Sequence, residues 1–300
     1  MADISLRSGL VDKPSLLSGA LSLWRSADAV QRVAIVTAFA LLAAAIAAPL
    51  IAPHGPLDQS LLSRLSPPIG FERYRDGFLL GTDELGRDIL SRTLYGLRLT
   101  LSLALLGSII GLLIGGLLGL LSGLRGGLFE DIVMGAVDAQ IAIPFTLIAL
   151  LFLAIFGSSL TVMVCVLGVY GWEQYARIVR GEVKKLKAMP FVEAARAAGA
   201  SNFRIATRHV LPNVVSPLVV QFTLSFSNIV LLESTLSFLG LGVQPPTATL
   251  GSMVGFGRDY MPTAPWVVIV PALAILLVTF AVQILGDWLR DRADVRLRAR

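Results

Sequence analysis

Uncharged apolar runs alternate with short polar segments along this chain. A helix rising about 1.5 Å per residue needs about twenty such residues to cross a hydrocarbon layer about 30 Å thick. Four runs meet that length, residues 33–53, 99–124, 209–232 and 260–286. Between Asp138 and Glu173 lie 34 uncharged residues, too many for one crossing, and Gly157, Ser158 and Ser159 interrupt them. The pattern predicts two helices there, the first reaching back through Phe129 and the second forward towards Arg180. The expectation is an all-α integral membrane protein with six transmembrane helices.

Basic residues test the parity, because lysine and arginine favour the cytoplasmic side. Six spans with an internal N-terminus leave 18 of the 25 basic residues inside and seven outside. Reading residues 139–172 as one tilted helix reverses the balance to 6 inside and 19 outside. Both termini are therefore expected in the cytoplasm. The segments become a tail over 1–32, a first span over 33–53, an external stretch over 54–98, a five-helix core over 99–286 and a tail over 287–300. Residues 16–24 are a candidate for lying along the membrane surface. The Ala-rich run after Arg32 is long and late for a secretory signal, which favours an uncleaved anchor.

Composition narrows the chemistry. A mean hydropathy of +0.76, with 55% apolar and 15% charged residues, excludes a soluble globular domain. The net charge of +5 would suit nucleic acid, but its distribution follows the membrane topology, and no nucleic-acid partner is expected. With one cysteine, Cys165, and two distant histidines, His54 and His209, neither a disulfide framework nor a histidine-based metal site is expected. No G-x-x-x-x-G-K-[ST] loop and no Gly-Lys pair occurs, so the chain lacks the usual ATP-binding signature.

Few charges approach the span interiors. Asp138, Glu173 and Glu233 come nearest, and each reads first as an interfacial or helix-packing carboxylate. Glu233 lies about 30 Å along a helix from Pro212, which places it towards the outer surface. With Asn228 and Gln221 it forms the candidate substrate path, packing being the alternative. In the second span Gly107, Gly111, Gly115 and Gly119 recur every fourth position. Close helix approach is the natural reading and a substrate path along that face the rival. The stretch 54–98 sets six arginines against six acidic residues, so no net field steers ligands there, and within it residues 81–92 read as a structural scaffold or docking surface, direct substrate contact being the alternative.

The segment 181–212 is polar enough to lie outside the membrane. Pro190 suits a first helical position, and Gly199 suits a helix end that needs a left-handed backbone. Ser201 suits the N-cap of a second short helix running into Pro212. Two short helices joined by a glycine and continuous with spans would carry force from a soluble partner. An amphipathic loop lying on headgroups fits the helical pattern equally well.

In this segment Glu193, Ala194, Ala195, Gly199, Leu211 and Pro212 match the EAA loop of ABC importer permeases, including the spacing from glycine to proline. His209 stands where the general pattern has an aliphatic residue, as it often does in peptide-type permeases. The blocks LGTDELGRDILSRTLYGLRLT (80–100), LSFLGLGVQPP (236–246), GSM (251–253), GRDY (257–260) and APW (264–266) resemble the C-type subunit of the dipeptide and oligopeptide permease family. So does the tail LGDWLRDRADVRLR, although Ala293 and Val295 replace a usual Leu and Pro.

The resemblance implies a type I ABC importer permease with the MetI-like fold. Its partners would be a homologous B-type permease, two ATP-binding subunits, an external substrate-binding protein and membrane lipid. ATP and magnesium would be used by the ATPases, with no cofactor bound by this chain. The six named loop residues would couple to the ATPases, Glu193 pairing with a basic residue there. Peptides are the expected solute; nickel chelates, glutathione or another peptide-like solute are the alternative. A self-contained secondary carrier would need a coupling-ion site, and the sequence offers no clear one.

Overall fold

The computed structural model describes Trp24 and residues 26–298. Among them every regular element is helical, beyond one isolated bridge between Thr82 and Asp88. Most of the N-terminal tail, including residues 16–23 of the surface candidate, lies outside the described residues.

The first helix, α1, spans Ala29–Ile51 and opens on a capping box. Asp28 accepts from the Gln31 amide at 2.8 Å while Gln31 accepts from the Asp28 amide at 3.1 Å, satisfying two groups that a helix start leaves unpaired. The chain then passes through an irregular external stretch to α2, Ile89–Arg125, whose first turn is capped by Asp88 through the Ser91 amide at 2.8 Å. This helix begins ten residues before the expected span at 99, because its N-terminus is tied into the external stretch. Thr82 accepts from the Ser66 amide at 2.8 Å, and its carbonyl accepts from the Trp266 indole at 3.1 Å. Asp83 holds Arg87 at 2.6 Å and Arg92 at 3.3 Å.

After Gly126, at φ 71°, come α3 (Gly127–Ala142), α4 (Phe145–Phe156), α5 (Leu160–Val169) and α6 (Trp172–Lys187). The expected interruption is present: Gly157 has φ 82° and Ser159 caps α5. Two further breaks were not expected. Pro144 has no amide to donate and keeps Ile143 extended (φ −109°, ψ 129°), as a residue before proline prefers; α3 and α4 meet there at 88°. Gly171, at φ 82°, separates α5 from α6. Four helices are long and apolar enough to cross a membrane, or five if the bent pair is one span. The remaining expected span falls on α5 and α6, of 10 and 16 residues.

Beyond α6 lie α7 (Pro190–Ala197) and α8 (Asn202–Ile205), then a wider turn over Ala206–Val210 that leads into α9 (Leu211–Phe238). The chain ends with α10 (Leu250–Gly257) and α11 (Trp266–Arg298). The last helix starts six residues after the expected 260 and continues past 286.

Three apolar clusters hold the bundle. A central one joins Leu103, Leu153, Leu167, Ile229 and Leu236. A second, at the loop end, joins Val179, Val183, Leu186, Val192, Ile205 and Val210, and a third joins Ile89, Met253 and Val267. Outside them, large apolar side chains such as Leu50, Leu147, Ile155 and Phe280 are exposed. Helices apolar all round are what a lipid solvent requires.

The glycine face of α2 is an intramolecular seam. A Cβ at Gly115 would stand 2.1 Å from the Trp172 carbonyl oxygen, and one at Gly119 would stand 2.5 Å from that of Ala176. Gly107 and Gly111 meet α5 and the bend after it in the same way, whereas Gly116 faces open space. Small residues are required where backbone meets backbone.

Candidate functional site

The polar segment after α6 is built outward from its apolar underside. On α6, Tyr175, Ala176, Val179, Val183 and Leu186 are buried, and Lys187 donates to the Gly123 and Leu124 carbonyls at 3.1 and 2.9 Å. A cation placed there satisfies the free carbonyl end of α2. Pro190 occupies the first turn of α7, and Val192 alone among that helix's residues is fully buried, within the cluster formed by α6 and α9.

A Schellman motif ends α7. The Ala200 amide donates to Ala195 O at 3.0 Å and the Gly199 amide to Arg196 O at 3.0 Å, with Gly199 at φ 83°. Nothing lies within 4 Å of where its Cβ would stand, so backbone conformation and not space demands glycine. Ser201 then accepts from the Arg204 amide at 3.3 Å. From Asn202 the chain stays helical through the wider turn into α9, so the second arm is one rod with a span.

What remains outside is a compact face. Glu193, Ala194 and Arg196 are exposed, Ala195 is half-buried, and Phe203 projects with 78% of its surface free. Glu193, Ala194, Ala195 and Gly199 thus belong to one capped short helix. Leu211 and Pro212, both exposed, stand apart on the first turn of α9.

The three residues considered for a path do not converge. Glu233 is fully buried and accepts from Ser237 at 2.7 Å. Gln221 is buried and donates to Gln174 at 2.6 Å and Ser225 at 3.1 Å. Asn228 is exposed on the same helix.

A further feature was missed from sequence, a polar ladder between α3 and α6. Glu130 accepts from Arg180 at 2.6 Å and Lys184 at 2.5 Å, and Asp138 accepts from Arg177 at 2.6 Å. Gln140 accepts from the Trp172 indole at 2.6 Å and donates to Glu173 at 2.8 Å. The signal was present in the spacing of Arg177, Arg180 and Lys184, which places three cations on one helical face.

An exposed helical elbow with a capped turn is thus joined directly to a long apolar helix of the bundle. Residues 115–295 match the profile of a family described as the binding-protein-dependent transport system inner membrane component. The chain belongs to this family. The permease is similar to the dipeptide transport system permease protein DppC of Escherichia coli K12, 44% identical over 89% of each chain. It also resembles the di/tripeptide transport system permease protein DppC of Pseudomonas aeruginosa, 42% identical over 85% of this chain and 84% of that one. A solved inward-facing structure of the MetNI methionine ABC transporter aligns with a TM-score of 0.51 at 22% identity. It covers 66% of this chain and 94% of that one, a likeness that shows the fold. The permease is thus a multi-pass inner-membrane component of a transport system rather than an enzyme.

Proposed function

We propose that this permease is the C-type membrane subunit of an ATP-driven importer of di- or oligopeptides. It would act with a B-type permease, two cytoplasmic ATPases and an external binding protein. The observation that carries the coupling part is the α7–Gly199–α8 elbow, exposed on one side and clamped on the other to α6 and α9. The peptide part is supported by the relatives named for dipeptide and di/tripeptide transport.

An ATPase gripping the face around Glu193 would use that carboxylate for a charge pair, while Ala194 and Ala195 allow close approach. Movement of the elbow would pass to the bundle, because Val192 lies in one buried cluster with Val183 and Val210 and the second arm runs directly into a span. ATPase closure would therefore tilt α6 and α9 together and open the bundle outwards, and hydrolysis would return it. The charge balance of 18 basic residues inside against seven outside supports a cytoplasmic elbow and cytoplasmic termini. ATP and magnesium would be handled by the ATPases.

The test is co-purification of the tagged permease from its native membrane, with ATPase and uptake assays. Wild type is expected to bring down a second permease and ATPases; Glu193→Lys is expected to lose the ATPases while keeping the permease pair. Gly199→Pro should insert normally yet abolish uptake, since proline cannot adopt φ 83° and lacks the amide that bonds Arg196 O. Normal uptake by an inserted Gly199→Pro protein would sink the coupling role. Competition by dipeptides, with none by nickel chelates or glutathione, separates the peptide reading from its alternatives.

A further inference from the structure

Between α1, α2, α9 and α11 runs an apolar groove of about 520 Å³, walled by Leu41, Leu42, Leu101, Leu105, Phe226 and Val278. A second cavity of about 330 Å³ adjoins the external stretch and contains Arg92, Tyr95, Pro246 and Thr247. Both volumes fall in the range of about 300–1,000 Å³ typical of ligand sites. The two share Arg98 and Ser102, so a charged compartment opens directly onto an oily one.

The charges in the upper compartment are unusual for this protein. Arg98 is the only charged residue of α2 between Arg92 and Arg125, and no carboxylate pairs with it among the described residues. Arg92 is buried, with its side chain 7% exposed and its Nε 3.3 Å from Asp83; its Nη1 has no partner. The exposed Arg98 guanidinium at the mouth of this cavity suits a phosphate, for which arginine has the matching donor geometry.

The lower compartment identifies the rest of the ligand. Its rim residues Leu42, Ile46 and Leu105 are 48%, 68% and 45% exposed on helices that cross the membrane, so the groove is open towards acyl chains rather than enclosed as an aqueous path. A peptide would bring unpaired amides into those walls, at a cost that hydrocarbon does not carry. An empty groove would also leave the seam between α1 and the core unfilled.

We propose that the joined cavities hold one phospholipid, its phosphate on Arg98 and one acyl chain along α1 and α2. This site fastens α1 to the core. It rests on the membrane placement of these helices and not on the identity of the transported solute, so a failure here leaves the peptide reading standing.

The experiment uses the full transporter purified in mild detergent and labelled with a phosphatidylethanolamine carrying a diazirine in one acyl chain. A diazirine-bearing diacylglycerol, which lacks phosphate, is the matched control. Labelling is expected within residues 38–46 and 101–105 from the phospholipid and far less from the diacylglycerol. Arg98→Gln, at an exposed position, should reduce that labelling about fivefold or more, and Leu42→Trp should reduce it by filling the groove. Labelling of Leu151 and Ile155 on α4 should stay unchanged in both variants. Equal labelling by the two reagents, or by Arg98→Gln and wild type, would reduce the site to ordinary boundary lipid. Absence of labelling in residues 38–46 and 101–105 from both reagents in the assembled transporter would instead mean that protein covers the groove, and would equally overturn the proposal.

Discussion

The two sides of α6 are held by opposite means. Towards α2 the contact is backbone against backbone, with glycines at 115 and 119 set where any side chain would strike a carbonyl of α6. Towards α3 the contact is a ladder of long side chains, from Glu130 with Arg180 and Lys184 to Gln140 with Trp172. A backbone seam has almost no slack, because sub-ångström separation changes cost steeply. Charged side chains several bonds long can keep partners while the helices slide. Since α6 leads straight into the elbow at Pro190, the difference predicts that α2 and α6 move as one body, with α3 the neighbour against which that body shifts.

Breaking the rigid side should have the largest effect. Gly115→Ala would place a methyl 2.1 Å from the Trp172 carbonyl, which only a displaced helix accommodates, at about 1–3 kcal/mol or more for overpacking. Gly116→Ala, one position away and facing open space, serves as its control. The expected outcome is a clear loss of thermal stability and of assembled complex for Gly115→Ala, with Gly116→Ala close to wild type. Equal behaviour of the two would mean that the seam yields, and the assignment of α2 and α6 to one body would fail.

How far such features were legible in the sequence depended on how local their causes are. Pro190 and Gly199 announced the elbow because each has a narrow backbone requirement that neighbours do not alter. The four-residue glycine spacing announced a seam for the same reason, though not which helix lay across it. Pro144 carried an equally local signal for the 88° bend, but it fell inside the first of the two helices read there, the one reaching back through Phe129, and was passed over. The ladder was harder. Asp138 and Glu173 looked like separate interfacial carboxylates, because their partners lie on another helix in each case and pairing depends on how the two helices align. The cavity under Arg98 depends on four helices and had no sequence signal beyond one basic residue in an apolar stretch.

Loosening the adjustable side should cost less than tightening the rigid one. Glu130 receives two cations and its side chain is only 7% exposed. Glu130→Gln keeps the shape but removes the charge, leaving Arg180 and Lys184 to turn towards water. Hydrogen bonds to charged groups contribute about 1.5–3 kcal/mol when buried, and the access of both cations to solvent lowers the expected loss to about 1 kcal/mol. The permease should assemble, melt slightly earlier and hydrolyse more ATP per solute imported, because the elbow would move against a less ordered neighbour. Unchanged coupling with reduced stability would leave the ladder as packing alone.

The smallest effect belongs to the exposed rung. Arg177 and Asp138 have side chains 53% and 70% exposed, so their 2.6 Å contact is expected to contribute about 0–1 kcal/mol. If the ladder is a row of independent, replaceable contacts, Asp138→Asn should be nearly silent at about 0.15 M salt, with any deficit appearing only when screening is reduced. A double-mutant cycle between Asp138→Asn and Glu130→Gln sharpens this, since distant independent sites add within about 0.5 kcal/mol. Additivity would support a surface that slides rung by rung. A coupling well above that limit would mean that α3 is locked to α6 as one unit, and the contrast between the two faces of α6 would disappear.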